Sequence, residues 1–202
     1  PTISTNFGAK AQNRTYQDLL KNSSDEHNFE QLATSTIYKI YLNGDSKKWL
    51  EDAMYRTISL SPDGNYVMVS QIKKPFSYLV TYSRFPSQTD VYNIKGELVT
   101  NLLDTPLIEE LPKGRMSTRT GKRSYSWRAD APATLVYVQA LDRGDPAVKT
   151  KYRDEVFQIK APFKGEGTSL VKTRNRYSGI DWGTQTNAVV YDYWWDTRNR
   201  KA

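Results

Sequence analysis

The chain has 202 residues, 38% hydrophobic and 25% charged, which is enough for one sizeable core or a piece of a larger one. With no cysteine it excludes disulfides, thiolate catalysis and cysteine-based zinc sites, and no run approaches the roughly 18–20 apolar residues of a membrane-spanning helix. The net charge of +7 is spread without a long Lys/Arg run, which suits solubility or an acidic partner rather than nucleic acid or a membrane. The 14 tyrosines, 6 phenylalanines and 5 tryptophans favour strands, where large rings pack on pleated faces. The start, Pro1-Thr2-Ile3-Ser4, has no initiator Met, basic n-region or apolar h-region. The expectation is a chain cut from something longer, with any targeting segment lost in the cut.

In chain order, residues 1–36 are polar and poor in β-branched runs. Thr15-Tyr16-Gln17-Asp18 reads as a capping box before Leu19-Leu20. Ser24-Asp25-Glu26 opens a second short helical piece, with Phe29, Leu32 and Ala33 on one side. From residue 37 the period becomes two. Ile37–Leu42 is a strand ending at the turn Asn43-Gly44-Asp45, and Thr57–Leu60 leads into the turn Ser61-Pro62-Asp63-Gly64. Tyr66–Ile72, Tyr78–Tyr82, Asp90–Ile94 and Glu97–Leu102 read as the strands that follow. The order then recurs. Ser124–Trp127, a turn at Arg128–Pro132, Thr134–Gln139, Asp154–Ile159 and Ser169–Thr173 make a second unit. Gly179–Trp182, a turn at Gly183–Asn187 and Ala188–Trp194 start a third. Leu60, Trp127 and Trp182 hold matching places.

These repeats predict an all-β fold. They read as a partial β-propeller of about two complete four-stranded blades (near 55–103 and 123–173) and two incomplete ones (near 37–50 and 178–196). A short, partly helical segment, 1–36, precedes the propeller fragment, 37–202. The alternative is an antiparallel meander such as a sandwich.

Hydrolytic machinery is missing from the sequence. The nearest approach to a nucleophile elbow, Gly167-Thr168-Ser169-Leu170-Val171, lacks its second glycine and has strand-like flanks. His27 is the only histidine and sits in the polar N-terminal segment, so neither a Ser-His-Asp triad nor a zinc site is expected. Gly165-Glu166-Gly167 does not continue into a dinucleotide fingerprint. Glu109-Glu110 reads as two solvated loop acids rather than a glycosidase pair. No catalytic residue, cofactor or metal is expected.

Several strings carry a family resemblance. They are Asn13–Leu20 with Asp25-Glu26, Lys74–Tyr78 with Ser83-Arg84-Phe85-Pro86, and Gly121–Asp130 with Asp142-Arg143-Gly144-Asp145 and Arg153-Asp154. Arg176–Trp182 and Trp195–Arg198 complete the set. Together they resemble the propeller of glutamyl endopeptidase-like members of the prolyl oligopeptidase family of serine peptidases, found in plastids and bacteria. The resemblance implies a propeller that gates peptide access to a C-terminal α/β-hydrolase domain not present in this chain. It implies a periplasmic or secreted location if bacterial and a plastid-like one if plant. A Glu-preferring peptidase must hold a carboxylate, and arginine does so with paired, charge-assisted bonds. Lys113, Arg115, Arg119, Lys122, Arg123 and Arg128 form a run of basic residues with no acid between them. Arg119, Arg123 and Arg128, with Arg84 on its loop, are therefore the candidate substrate contacts. The competing reading has solvated charges, with Arg123 and Arg128 in ion pairs inside a blade, such as one with Asp130. The competing function is a stand-alone propeller serving as an interaction scaffold. A partial propeller also leaves strand edges unpaired, so self-association is expected.

Overall fold

The computed structural model describes residues 16–184 and 186–201; the first part of the Thr15–Asp18 capping box and of the Asn13–Leu20 string lies outside them. Helix α1 (Ser23–Ala33) opens where the Asn22 side chain accepts the Asp25 amide at 3.0 Å. Asp25 and Glu26 then complement the helix dipole in its first turn. The cap is thus Asn22, ahead of the expected Ser24. Phe29 and Ala33 pack inward against Phe76 and Phe85, and Phe29 meets Phe76 edge-on at 5.1 Å. Leu32, expected on the same side, is 87% exposed instead.

Among the described residues twelve strands follow in three antiparallel sheets, each a simple meander. The first sheet holds β1 (Ser35–Ile40), β2 (Ser46–Leu60), β3 (Tyr66–Ile72), β4 (Ser87–Asn93) and β5 (Leu98–Thr105). The second holds β6 (Arg123–Trp127), β7 (Thr134–Ala140), β8 (Asp154–Lys160) and β9 (Thr168–Thr173). The third holds β10 (Arg176–Thr184), β11 (Asn187–Trp194) and β12 (Asn199–Lys201). The mostly-β architecture with little helix agrees with the sequence reading, and among the described residues no sheet closes on itself.

Two expectations need correction. Residues 37–50 do not start a separate unit. Strand β2 runs unbroken and pairs with β1 up to Ala53, then with β3 from Met54 onward. The β1–β2 hairpin also doubles back over the sheet: the Trp49 indole donates to the Ile94 carbonyl at 3.2 Å and packs on Tyr92 at 5.9 Å. Gly96, with φ +89°, receives that ring; a Cβ there would lie 3.0 Å from the Trp49 carbonyl oxygen. The second correction is Tyr78–Tyr82, which is not a strand. It is a loop running into a 3-10 turn at Tyr82–Arg84. The buried residues of this stretch are Phe76, Ser77, Val80 and Phe85, a spacing that fills the space under α1 rather than one face of a pleat.

The sheets stack face to face. In the first sheet Met68 and Val91 share one face, with Tyr66, and meet Leu135, Tyr137, Ile159 and Trp127 of the second. Tyr137 stacks on Phe157 at 5.2 Å, and the Trp127 indole donates to the Ser59 carbonyl across the interface at 3.1 Å. On the other face of the second sheet Val136, Val138 and Val156 pack against Tyr177 and Trp182 of the third. Strand β7 is therefore buried on both sides, with Thr134–Val138 an unbroken buried run. Burying each such side chain contributes about 1.5–3 kcal/mol.

The turns carry their own chemistry. Ser61 Oγ donates to Asp63 at 2.5 Å and accepts the Tyr66 amide, so Ser61-Pro62-Asp63-Gly64 closes on itself. The Ser61 hydroxyl holds the Asp63 carboxyl below its ordinary value.

Candidate functional site

The longest connection between sheets, residues 106–122, leaves β5 and enters β6. It helps form a cleft of about 560 Å³, a size suited to a small ligand or a peptide segment. One wall is Thr105–Pro112. It hangs on the 3-10 turn through the Ile108 amide, which donates to the Arg84 carbonyl at 3.0 Å, and through Glu109, which accepts from Ser77 Oγ at 2.6 Å. Leu107 of this wall packs against the cluster under α1.

The opposite wall is Thr118–Thr120 with Arg143. It is locked by a close backbone approach. The Thr118 amide donates to the Gly144 carbonyl at 3.0 Å. Gly144 has φ +76°, and a Cβ there would fall 2.0 Å from the Thr118 carbonyl oxygen, so only glycine fits.

Behind this wall lies a buried charge cluster. Asp142 accepts Arg176 Nη1 at 2.7 Å, Arg153 Nη1 at 2.8 Å and the Gly144 amide at 3.0 Å. Asp154 accepts Arg123 Nη2 at 2.6 Å, Arg176 Nη1 at 3.1 Å and the Tyr177 amide at 2.8 Å. Arg123 Nε reaches Thr118 Oγ1 at 3.1 Å, and Arg176 Nε reaches the Met116 carbonyl at 2.8 Å. Three guanidiniums thus face two carboxylates, leaving one net positive charge. Arg176 Nη2 is buried without a hydrogen-bond partner among the described residues.

Two curated plant proteins match this chain along its whole length. Both are named "Probable glutamyl endopeptidase, chloroplastic". The one from Oryza sativa subsp. japonica is 38% identical over 205 residues, and the one from Arabidopsis thaliana is 37% identical over 203. The chain is similar to a part of both. It spans about a fifth of those relatives, 22% and 21% of their lengths, and all of its own. No family model matches it, and no solved structure does at a significant level.

Within this chain the four expected arginines part company. Arg84, Arg119 and Arg123 lie toward the cleft end of the stack, whereas Arg128 follows the far end of β6. Arg128 grips Asp130 with two bonds of 3.0 and 2.7 Å, reaches Gln158 at 2.6 Å, and stacks on Trp182 at 4.2 Å. That pairing holds the Asp130 carboxyl below its ordinary value of 3.8. Arg123 is committed to Asp154. Arg84 stacks on Tyr16 at 5.5 Å. Of the four, Arg119 alone lines the cleft; it is half-buried and, among the described residues, donates to the carbonyls of Thr120 and Lys122 in its own loop. Burial, with Arg123 nearby, lowers its proton affinity.

Arg143 was not among the expected contacts, yet it faces the same cleft. Its only sequence signal is the Asp142-Arg143-Gly144-Asp145 string, whose aspartate and glycine lock the wall that presents it. Ser169 is a strand residue whose hydroxyl donates to Glu155 at 2.6 Å, and His27 is exposed on α1. Among the described residues no group of three His, Cys, Asp or Glu side chains is placed to hold a metal ion, and no helix is long and apolar enough to cross a membrane.

Proposed function

We propose that this chain is a non-catalytic β-propeller portion of a serine peptidase of the prolyl oligopeptidase type, which controls peptide access to a C-terminal α/β-hydrolase domain. The observation that carries this reading is the whole-length likeness to about a fifth of two probable glutamyl endopeptidases. Three stacked meander sheets support it, because blade-on-blade stacking is how a propeller buries its faces. Of the expected substrate contacts, Arg119 is the best placed, since Arg123 and Arg128 already hold carboxylates.

The test compares this chain with a longer protein that contains it and the hydrolase domain. The longer protein is expected to cleave short Glu-containing peptides quickly and folded proteins at least about tenfold more slowly, while this chain cleaves neither. Hydrolysis by this chain alone, or equal rates on short and folded substrates, would overturn the proposal.

A further inference from the structure

The β1–β2 hairpin presents a surface that the fold leaves open. Among the described residues β1 pairs with β2 alone, so the backbone groups along its other side meet no strand. Such an edge is a template for a further strand unless proline, a bulge or outward charge blunts it. β1 has no proline, and its single charged residue, Lys39, holds its ammonium over the Tyr41 ring at 5.4 Å. The edge is also preformed, because Trp49 fixes the hairpin on Tyr92 and the Ile94 carbonyl. Alternation along the strand puts Thr36, Tyr38 and Ile40 on one face, where Tyr38 is exposed and Ile40 is 75% exposed. The charges point to a second copy as the partner. The hairpin tip holds Lys39 and Lys47 against Asp45, a surplus of one positive charge. The base holds Glu51 and Asp52 against Lys48, which bridges both, a surplus of one negative charge. Thr36 of β1 donates to that same Asp52 at 2.5 Å, so the acidic surplus lies beside the start of the edge strand. Two hairpins laid antiparallel along β1 set each tip beside the other's base, and the opposite surpluses meet twice. A parallel arrangement would set like against like.

We infer that β1 pairs antiparallel with β1 of a second copy of this chain about a two-fold axis at Tyr38, joining the two first sheets into one. A two-fold contact uses the same patch on both copies. Facing residues of an antiparallel pair point to the same side of the sheet, so this axis sets Tyr38 against its own copy and Ile40 against Thr36. The exposed ring and the exposed isoleucine are thereby both covered. The surface lies wholly on this chain, and the pairing does not depend on the function proposed above.

The 202-residue chain has no cysteine, so a single introduced cysteine reports one contact. Tyr38→Cys and Leu42→Cys are oxidised under the same conditions, and covalent dimer is followed on non-reducing gels. In the paired dimer the two residues at position 38 have Cα atoms about 4.5–5.5 Å apart, within disulfide reach, while those at position 42 lie roughly 25 Å apart. Leu42 is the more exposed of the two, so random encounter favours cross-linking there and strand pairing favours it at Tyr38. Y38C is expected to cross-link at least about tenfold faster than L42C. Sedimentation equilibrium supplies a second reading. Tyr38→Lys puts an ammonium against its own copy and is expected to weaken dimerisation at least about tenfold. Leu79→Lys, at an exposed position on the loop under α1, is expected to leave it unchanged. Tyr38 is exposed, so these substitutions leave the core intact, and the cross-linking comparison stands without Y38K. Cross-linking of L42C as fast as Y38C, an undiminished dimer in Y38K, equal weakening by L79K, or no dimer at all would each overturn the inference. None of these outcomes bears on the hydrolysis assay, which reads the proposed function.

Discussion

Asp142 and Asp154 have no exposed side-chain surface, and each is shared by two arginines. Removing one carboxylate strands buried positive charge, which typically costs about 3–5 kcal/mol. Asp154→Ala is therefore expected to lower the urea-unfolding free energy by about that amount. Glu51→Ala, which breaks the exposed pair with Lys48, is expected to change it by less than about 1 kcal/mol. A loss for D154A no larger than for E51A would refute the cluster's structural role. The contrast also marks the limit of the sequence at this scale. The basic run from Lys113 to Arg128 is plain to read, but the partners are not: Asp154 lies 31 residues from Arg123 and Gln158 lies 30 from Arg128. Only the pairing of strands brings them together. Arg119 therefore could not be told from Arg123 before the sheets were in place. Asp130, two residues from Arg128, is the one partner that local spacing did reveal.

Among the elements, period-two runs bounded by turns identified most strands, because β3, β7 and β8 are rich in Val, Ile and aromatic residues. The failure at Tyr78–Tyr82 has a definite cause. That run has the composition of a strand, but its buried positions are set by α1, an element from elsewhere in the chain. The doubled-back hairpin was equally hidden, since it depends on Trp49 finding Tyr92 across the sheet. Burial and the neighbouring Asp90 push the Tyr92 hydroxyl up to about 12 from 10.0. The folded state thus favours the neutral phenol. Its contribution to stability is complete below pH 10 and is lost as pH rises through about 12. Chemical unfolding at a series of pH values should show this fall, and Tyr92→Phe should make it shallower. An unaltered slope in Y92F would count against this burial of the ring.

At the scale of the molecule, the second sheet is the only one of the three with both faces packed against another sheet among the described residues. Its amides in β7 and β8 should be the last to exchange with deuterium, and those of the edge strands β1 and β12 among the first. Faster exchange in β7 than in β1 would contradict the stacking. The outer surfaces are less finished. Tyr38, Ile40 and Leu42 of the hairpin are exposed, with Leu42 fully so, and among the described residues β1 lies at the edge of its sheet. Sedimentation equilibrium is expected to show concentration-dependent self-association through such surfaces. A single monomeric species at every concentration would dismiss it.

The contact between Thr118 and Gly144 makes the cleft a vice with one fixed jaw. Its arginine side is seated against buried ion pairs with no room even for a methyl group. Its other jaw runs between Pro106 and Pro112 and is tied down by one amide and one serine hydroxyl. Any occupant of the cleft would therefore meet Arg119 and Arg143 on backbone that the Thr118–Gly144 contact holds in place.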